Sequence, residues 1–174
     1  MVVVGHHSAM TPAVDQLNRF GIAHRLLVYE HDPTTSSYGT EAAEALGLDP
    51  DSVFKTLLAV VSDLRATESR GSMTSLVVGL VPVTGMLDLK ELARAAGAKR
   101  AVMADPKTAA RTTGYVVGGI SPFGQRKPLP TFVDETAEIL DVMRVSGGRR
   151  GLEIELDPQD LVRVLSATVA PLAT

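Results

Sequence analysis

The sequence predicts a single α+β domain built on a mixed sheet, and three observations lead there. Short amphipathic stretches with helix-capping residues are interleaved with about seven apolar, strand-like runs. Several of these runs are joined by links of hairpin length, which suit antiparallel neighbours, so the sheet is not fully parallel. The 174 residues contain no internal repeat and no linker-like break in composition, so residues 1–174 are read as one domain. At this length roughly 70% of the unfolded chain's surface is buried on folding, enough for one core without staples.

Each element has a local reason. Thr11-Pro12 opens the first helix, with Thr as N-cap and Pro pre-set at the first helical position. Ala13, Val14, Leu17 and Phe20 form its apolar stripe and Gly21 stops it. Residues 24–29 read as a strand, 31–39 as a polar loop, and Thr40 as the cap of a short helix ending at Gly47. Residues 54–61 and 74–83 are strands. The polar segment 62–73, with Gly71, reads as a mobile hairpin loop. Asp88 and Glu91 have capping-box spacing ahead of Leu89, Leu92, Ala93 and Ala96, with Gly97 as the stop. Residues 100–103 form a short strand, and Asp105-Pro106 starts another helix. Residues 114–124 are glycine-rich, with a strand-like Tyr115-Val116-Val117. Residues 130–134, 140–145 and 152–156 read as strands and 146–151 as a turn. Asp157-Pro158 opens the last helix, with Leu161, Val164 and Leu165 inward. Residues 1–10 are expected to be a flexible N-terminal segment.

Composition narrows the function classes. Hydrophobic residues make up 45% and charged residues 21%, ordinary globular values. Aromatics are 4% with no Trp, so the core falls to Val, Leu, Ile and Ala. The absence of Cys removes disulfides, thiolate metal ligands and a cysteine nucleophile together. It also fits a reducing compartment, and a cytoplasmic location is expected. The first ten residues lack a charged n-region, so no signal peptide is read. No apolar run approaches the length of a membrane span. The net charge of −3 does not advertise nucleic-acid binding, but its distribution is uneven. Residues 30–51 carry six acids and no Lys or Arg. Residues 99–133 carry six basic side chains (Lys99, Arg100, Lys107, Arg111, Arg126, Lys127) against one acid, Asp105. That is either an unevenly charged solvated surface or a phosphate-binding face.

Three places could carry chemistry. Lys55 lies on a strand whose two faces, Phe54/Thr56/Leu58/Val60 and Lys55/Leu57/Ala59/Val61, are both largely apolar. Such a lysine either snorkels from a strand end or stands in a pocket, holding a phosphate or polarising a carbonyl. Residues 114–124 hold four glycines in eleven positions. Gly118-Gly119 lets backbone approach a ligand, successive N–H groups can form an anion nest, and Ser121-Pro122 adds a hydroxyl on a stiff turn. An ordinary turn is the alternative. In the turn 146–151, Arg149-Arg150 either grips phosphate or is a solvated hairpin tip. Glu153 shares its side of a strand with Glu155 and by itself reads as solvated. His6, His7, His24 and His31 have no metalloprotease spacing, no Gly-x-Ser-x-Gly elbow occurs, and no histidine–carboxylate cluster is visible. No metal site and no cofactor are expected.

Together these segments resemble the YbaK/EbsC family of aminoacyl-tRNA deacylases, which is similar to the editing domain of bacterial prolyl-tRNA synthetases. The matching segments are Thr11-Pro-Ala-Val-Asp15, Tyr29 with His31-Asp-Pro33, Glu41-Ala-Ala-Glu44, Phe54-Lys-Thr-Leu57, residues 114–124, and Ser146-Gly-Gly-Arg-Arg-Gly151. They run in order over almost the whole chain. The resemblance implies a mixed, mainly antiparallel sheet or partly closed barrel flanked by short helices. It implies hydrolysis of the ester between a wrong amino acid and the 3′ end of tRNA, with cysteine on proline tRNA as the substrate of the YbaK branch. It places Lys55 on the family's essential lysine. It also places Tyr29, Tyr38, Ser146 and Glu153 at pocket positions, and Gly118, Gly119, Ile120, Ser121 and Pro122 on the loop that holds the terminal adenosine and the ester. Arg149 and Arg150 become candidates for tRNA phosphate. Tyr38 stands where Phe is common and Glu153 where Asp is common. The 62–73 loop is longer than is usual in the family and is expected outside the pocket. In that branch the nucleophile is the substrate's own thiol, which suits a chain without Cys. The partners implied are the acceptor end of aminoacyl-tRNA and, as a candidate, prolyl-tRNA synthetase. Rival readings are a deacylase for another mischarged tRNA, such as alanyl-tRNA(Pro), and a non-catalytic module that binds tRNA ends or nucleotides.

Overall fold

Thr11 caps α1 (Pro12–Arg19): its Oγ1 accepts from Val14 N at 3.2 Å and donates to Gly147 O at 2.5 Å. This one side chain thus ties the first helix to a turn far along the chain. The computed structural model describes residues 10–63 and 73–174. The expected flexible segment 1–10 and the tip of the 62–73 loop fall almost wholly outside the described residues.

The elements follow in the order β1 (His24–Val28), α2 (Tyr38–Leu46), β2 (Phe54–Asp63), β3 (Met73–Pro82), α3 (Leu89–Ala95), β4 (Arg100–Met103), α4 (Pro106–Thr113), β5 (Thr131–Asp134), β6 (Met143–Ser146), β7 (Leu152–Leu156), α5 (Pro158–Leu165) and β8 (Thr168–Ala170). Short 3-10 turns occupy Pro50–Ser52 and Glu135–Ile139. Three helices begin where an Asp precedes the first turn. Asp88, Asp105 and Asp157 each accept from backbone N–H groups of the turn they cap, satisfying donors that have no partner within the helix.

The strands form two sheets rather than one. β1-β7-β6 is antiparallel, and β4-β2-β3-β5-β8 is mixed, with β3–β5 and β5–β8 parallel. An isolated bridge between Val53 and Arg144 links them, and they do not close into a barrel. β2 and β3 pair in register from Phe54↔Pro82 to Asp63↔Met73, which is the expected hairpin. β2 is interior, as its two apolar faces require. Phe54 and Leu58 enter one core with the three-stranded sheet, α1 and α5, while Ala59 and Val61 enter a second with α3.

Several boundaries differ from expectation. α2 starts at Tyr38 rather than after Thr40, and Ser37, at its N-cap position, makes no side-chain capping bond. Gly39 lies so close to β3's end that an added Cβ would sit 2.4 Å from Val83 Cγ1. β6 begins at Met143, because residues 135–139 wind into a 3-10 turn capped by Asp134. β8 was not foreseen. It pairs in parallel with β5, and Asp134 Oδ1 accepts from both Leu172 N and Ala173 N at 2.8 Å, fixing the segment that follows it. Among the described residues, no helix is long and apolar enough to cross a membrane.

Candidate functional site

A cavity of about 440 Å³ opens between the start of β2, the first turn of α2, the N-terminal half of α4, the loop 114–124 and the β6–β7 pair. Lys55, Tyr38, Gly118, Ile120, Ser146 and Glu153 all line it. Residues far apart in sequence therefore meet at one place, which the alternation of a single strand could not reveal.

Lys55 is half-buried on β2, opposite Val81 of β3. Burial alone pulls its ammonium pKa below the ordinary lysine range. Among the described residues no carboxylate lies within ion-pair distance of it. An ammonium without a counter-ion in a partly dry cleft attracts a phosphate, or stabilises charge developing on an ester oxygen.

Glu153 is the second ionisable group in the cavity. It is 7% exposed, on the central strand of the three-stranded sheet, between Leu27 of β1 and Ser146 of β6. Burial pushes its pKa up to about 8, so near neutral pH the side chain is mostly an uncharged acid that can donate as well as accept. The solvated reading of Glu153 is thereby corrected. Glu155, two residues on, behaves differently. It accepts from Arg144 Nε at 2.8 Å, with Arg144 Nη2 at 2.7 Å and Arg25 Nε at 3.2 Å. The cross-strand neighbours separate the two: arginines flank Glu155, and Leu27 and Ser146 flank Glu153.

The glycine-rich loop is held against the cavity by its own packing. Residues 115–117 are not a strand. Tyr115 is buried and donates from its hydroxyl to Phe123 O at 2.7 Å, closing the loop on itself. Gly118 has φ +86° and an added Cβ would lie 2.5 Å from the Tyr38 ring. One on Gly119 would lie 2.9 Å from Arg149 Cα. Arg150 donates to Val117 O through Nε at 3.1 Å and Nη2 at 2.6 Å, and its guanidinium sits 4.6 Å from the centre of the Tyr38 ring. Arg150 thus clamps the loop and Tyr38 together. Among the described residues, the N–H groups of Gly118 and Ile120 have no intramolecular acceptor. Both residues line the cavity.

Other expected site residues stand off the cavity wall. Gly119, Ser121 and Pro122 do not line it. Ser121 is fully buried, with its Oγ accepting from Phe123 N at 3.3 Å, and Pro122 borders a separate cleft of about 140 Å³. Tyr29 does not line the cavity either. Burial raises its phenol to about 12, and the nearby Glu153 charge adds to the shift. Arg149 packs its backbone on Gly119.

Two features were missed in the sequence. Thr56 lines the cavity beside Lys55, and among the described residues its Oγ1 is the buried side-chain polar atom with no hydrogen-bond partner. Its position after Lys55 was visible; its orphan hydroxyl was not. A histidine–carboxylate pair, though no cluster, also exists and leaves no mark in the sequence. His31 Nδ1 lies 2.9 Å from Glu41 Oε2, and Asp32 N donates to Glu41 Oε1 at 2.6 Å. The loop after β1 folds back on the first turn of α2 and brings these residues together. The pair is not on the cavity wall, but the His31 ring is 5.9 Å from that of Tyr38. Among the described residues, no three His, Asp or Glu side chains group as metal donors.

Comparison with known proteins adds three findings. The family model of the aminoacyl-tRNA editing domain matches residues 32–164. EbsC of Enterococcus faecalis, named as a Cys-tRNA(Pro)/Cys-tRNA(Cys) deacylase, is 38% identical over 132 residues, covering 76% of this chain and 74% of its own. Two solved structures share the fold at 23% identity. Hypothetical protein APE2540 has a TM-score of 0.79 over 94% of this chain and 100% of its own. A structure described as a trans-editing enzyme for prolyl tRNA synthetase has a TM-score of 0.78 over 98% of this chain and 99% of its own.

Proposed function

We propose that this chain, which belongs to the aminoacyl-tRNA editing domain family and is an aminoacyl-tRNA deacylase, removes cysteine from mischarged proline tRNA. One observation carries the reading. An ammonium without a counter-ion, Lys55, and a neutral buried acid, Glu153, line the same small cavity as a glycine loop with unengaged N–H groups. The likeness to EbsC supports cysteine as the amino acid.

The geometry suits an activated ester. Lys55 holds the terminal phosphate or the ester oxygen, and the N–H groups of Gly118 and Ile120 steady the carbonyl oxygen as it gains charge. The chain has no cysteine, and Ser146 Oγ accepts from Gly148 N at 3.2 Å, with no basic partner in the cavity near neutral pH. The attacking group is then the substrate's thiol. Sulfur bonds to the carbonyl carbon, the bond from that carbon to the 3′ oxygen breaks, and the thiol proton goes to the leaving 3′ hydroxyl. Water then opens the small thiolactone to free cysteine. Intramolecular attack supplies much of the rate. Tyr38, clamped by Arg150, forms the wall against which the substrate rests. Selection of the tRNA falls partly to prolyl-tRNA synthetase, and an aminoacyl-tRNA substrate places the work in the cytoplasm, where translation occurs.

The test is single-turnover deacylation of cysteinyl- and alanyl-tRNA(Pro), with and without prolyl-tRNA synthetase. Cysteine release should exceed alanine release by at least tenfold. Preference for alanine would move the assignment to the other substrate. Binding without release from either would make the chain a tRNA-end binding module.

A further inference from the structure

We propose that the outer face of α4, extended by Arg126 and Lys127, is the docking strip for the sugar–phosphate backbone of an RNA acceptor stem. The inference rests on the deacylase reading for the identity of the RNA, and on charge and placement for the strip itself. Lys107 and Arg111 are exposed, one helical turn apart, about 6 Å along the axis. Arg126 continues the line. Its backbone N donates to Thr113 O at 3.0 Å, and its side chain lies over the end of α4, where an added Cβ on Gly114 would be 2.9 Å from its Nε. Lys127 follows and is exposed. From residue 106 to residue 133 these four cations occur with no Asp or Glu.

What sets them apart is the stretch of chain without acids; the lack of a carboxylate partner they share, among the described residues, with Lys55, Lys90, Lys99, Arg100 and Arg150. Arg19, Arg25, Arg94, Arg144 and Arg163 each pair with a carboxylate. Among the described residues, none of Lys107, Arg111, Arg126 and Lys127 does. The inner side of the same helix meets the cavity through Pro106 and Ala109. A duplex backbone laid on the cations would therefore run beside the cavity into which its 3′ end must pass. Phosphates would replace the missing carboxylates and release counter-ions.

An uncharged acceptor-stem hairpin ending in CCA, titrated by fluorescence anisotropy over a salt series, tests the strip without requiring catalysis. The variant Lys107→Ala/Arg111→Ala/Arg126→Ala should bind at least tenfold more weakly at low salt. Its slope of log affinity against log salt should be shallower by about two to three. The control Arg19→Ala/Lys90→Ala/Arg94→Ala carries the same change in net charge and should lose less than threefold. Equal losses in the two variants, wild-type affinity in the first, or no measurable binding by the unaltered protein would each overturn the proposal. A cysteinyl ester of bare adenosine separates the two readings. Failure of the unaltered protein to cleave it counts against the deacylase chemistry and leaves the RNA-binding result to stand or fall alone.

Discussion

The ring of Tyr38 fills the space that a side chain at Gly118 would need: an added Cβ would lie 2.5 Å from Tyr38 Cδ2. The backbone there has φ +86°, a conformation that strains any L side chain. Gly118→Ala should therefore combine local strain with displacement of Tyr38 from the cavity wall. We expect a stability loss of about 2 kcal/mol and at least a tenfold fall in kcat/KM for cysteinyl-tRNA. Gly118→Ala/Tyr38→Ala should recover part of the stability and none of the activity. Urea denaturation with steady-state kinetics checks both. An active, fully stable Gly118→Ala protein would show that the loop does not depend on this packing.

Removing the cavity's cation should separate folding from function. Lys55 has no carboxylate partner among the described residues, and its charge is disfavoured by burial. Lys55→Ala should leave the melting temperature within a few degrees of the unaltered protein and reduce deacylation by at least a hundredfold. Lys55→Arg should restore only a fraction, because a planar fork does not replace a compact ammonium. Near-normal turnover by folded Lys55→Ala protein would remove Lys55 from the mechanism.

Glu153 gives a pH signature with a definite sign. Its folded pKa of about 8 lies above the ordinary value of 4.5. Below that lower value both folded and unfolded chains hold the proton. Between 4.5 and about 8 the unfolded chain releases it and the folded chain keeps it, so stability falls as pH rises through this window. Above it the loss is complete, on the order of 5 kcal/mol. Glu153→Gln has no proton to lose. Its stability relative to the unaltered protein should climb from pH 5 to pH 8 and then level off. Chemical denaturation at four pH values measures this, and a constant difference would mean that Glu153 is ionised in the folded protein.

What was legible in the sequence followed the range of the interaction. Thr11, Asp88, Asp105 and Asp157 cap helices through bonds to residues two or three places on, and each was visible locally. Both faces of β2 are apolar in the sequence, the mark of an interior strand, and it lies between β3 and β4. Glu153 was misread as solvated on its strand alone, because its burial is decided by Leu27 and Ser146 on neighbouring strands. β8 and the His31–Glu41 pair depend on a parallel pairing and a folded-back loop, which leave no periodic trace. The resemblance to a family brought Lys55, Tyr38, Gly118, Ile120, Ser146 and Glu153 onto one list, and these residues line one cavity. It did not separate them from Gly119, Ser121 and Pro122, which stand off its wall.

Thr56 offers a test of stability held back for binding. Its Oγ1 is buried without a hydrogen-bond partner among the described residues, a state that is unfavourable by roughly 1–3 kcal/mol. Thr56→Val keeps the shape and removes the hydroxyl. We expect the variant to be more stable by about 1 kcal/mol and to show a several-fold higher KM for cysteinyl-tRNA, if the unpartnered hydroxyl on the cavity wall bonds the substrate. Denaturation midpoints and KM, measured on the same preparation, decide this. Loss of stability would show that the hydroxyl is already satisfied.

The nucleophile can be identified by changing one atom of the substrate. The chain has no cysteine, the His31–Glu41 pair is off the cavity wall, and Glu153 is too weakly acidic to be an ionised base near neutral pH. A protein-activated water or serine would treat cysteinyl and seryl esters alike, since they differ only in sulfur against oxygen. Attack by the substrate's own side chain would not, because a thiol is the stronger nucleophile and is ionised more easily than a hydroxyl. Cysteinyl-tRNA should be cleaved at least a hundredfold faster than seryl-tRNA carried on the same tRNA, and EDTA should change neither rate. Equal rates on the two esters, or activity lost to EDTA and restored by a divalent metal, would assign the attack to an enzyme-activated water and leave Lys55 and the loop N–H groups as its electrostatic support.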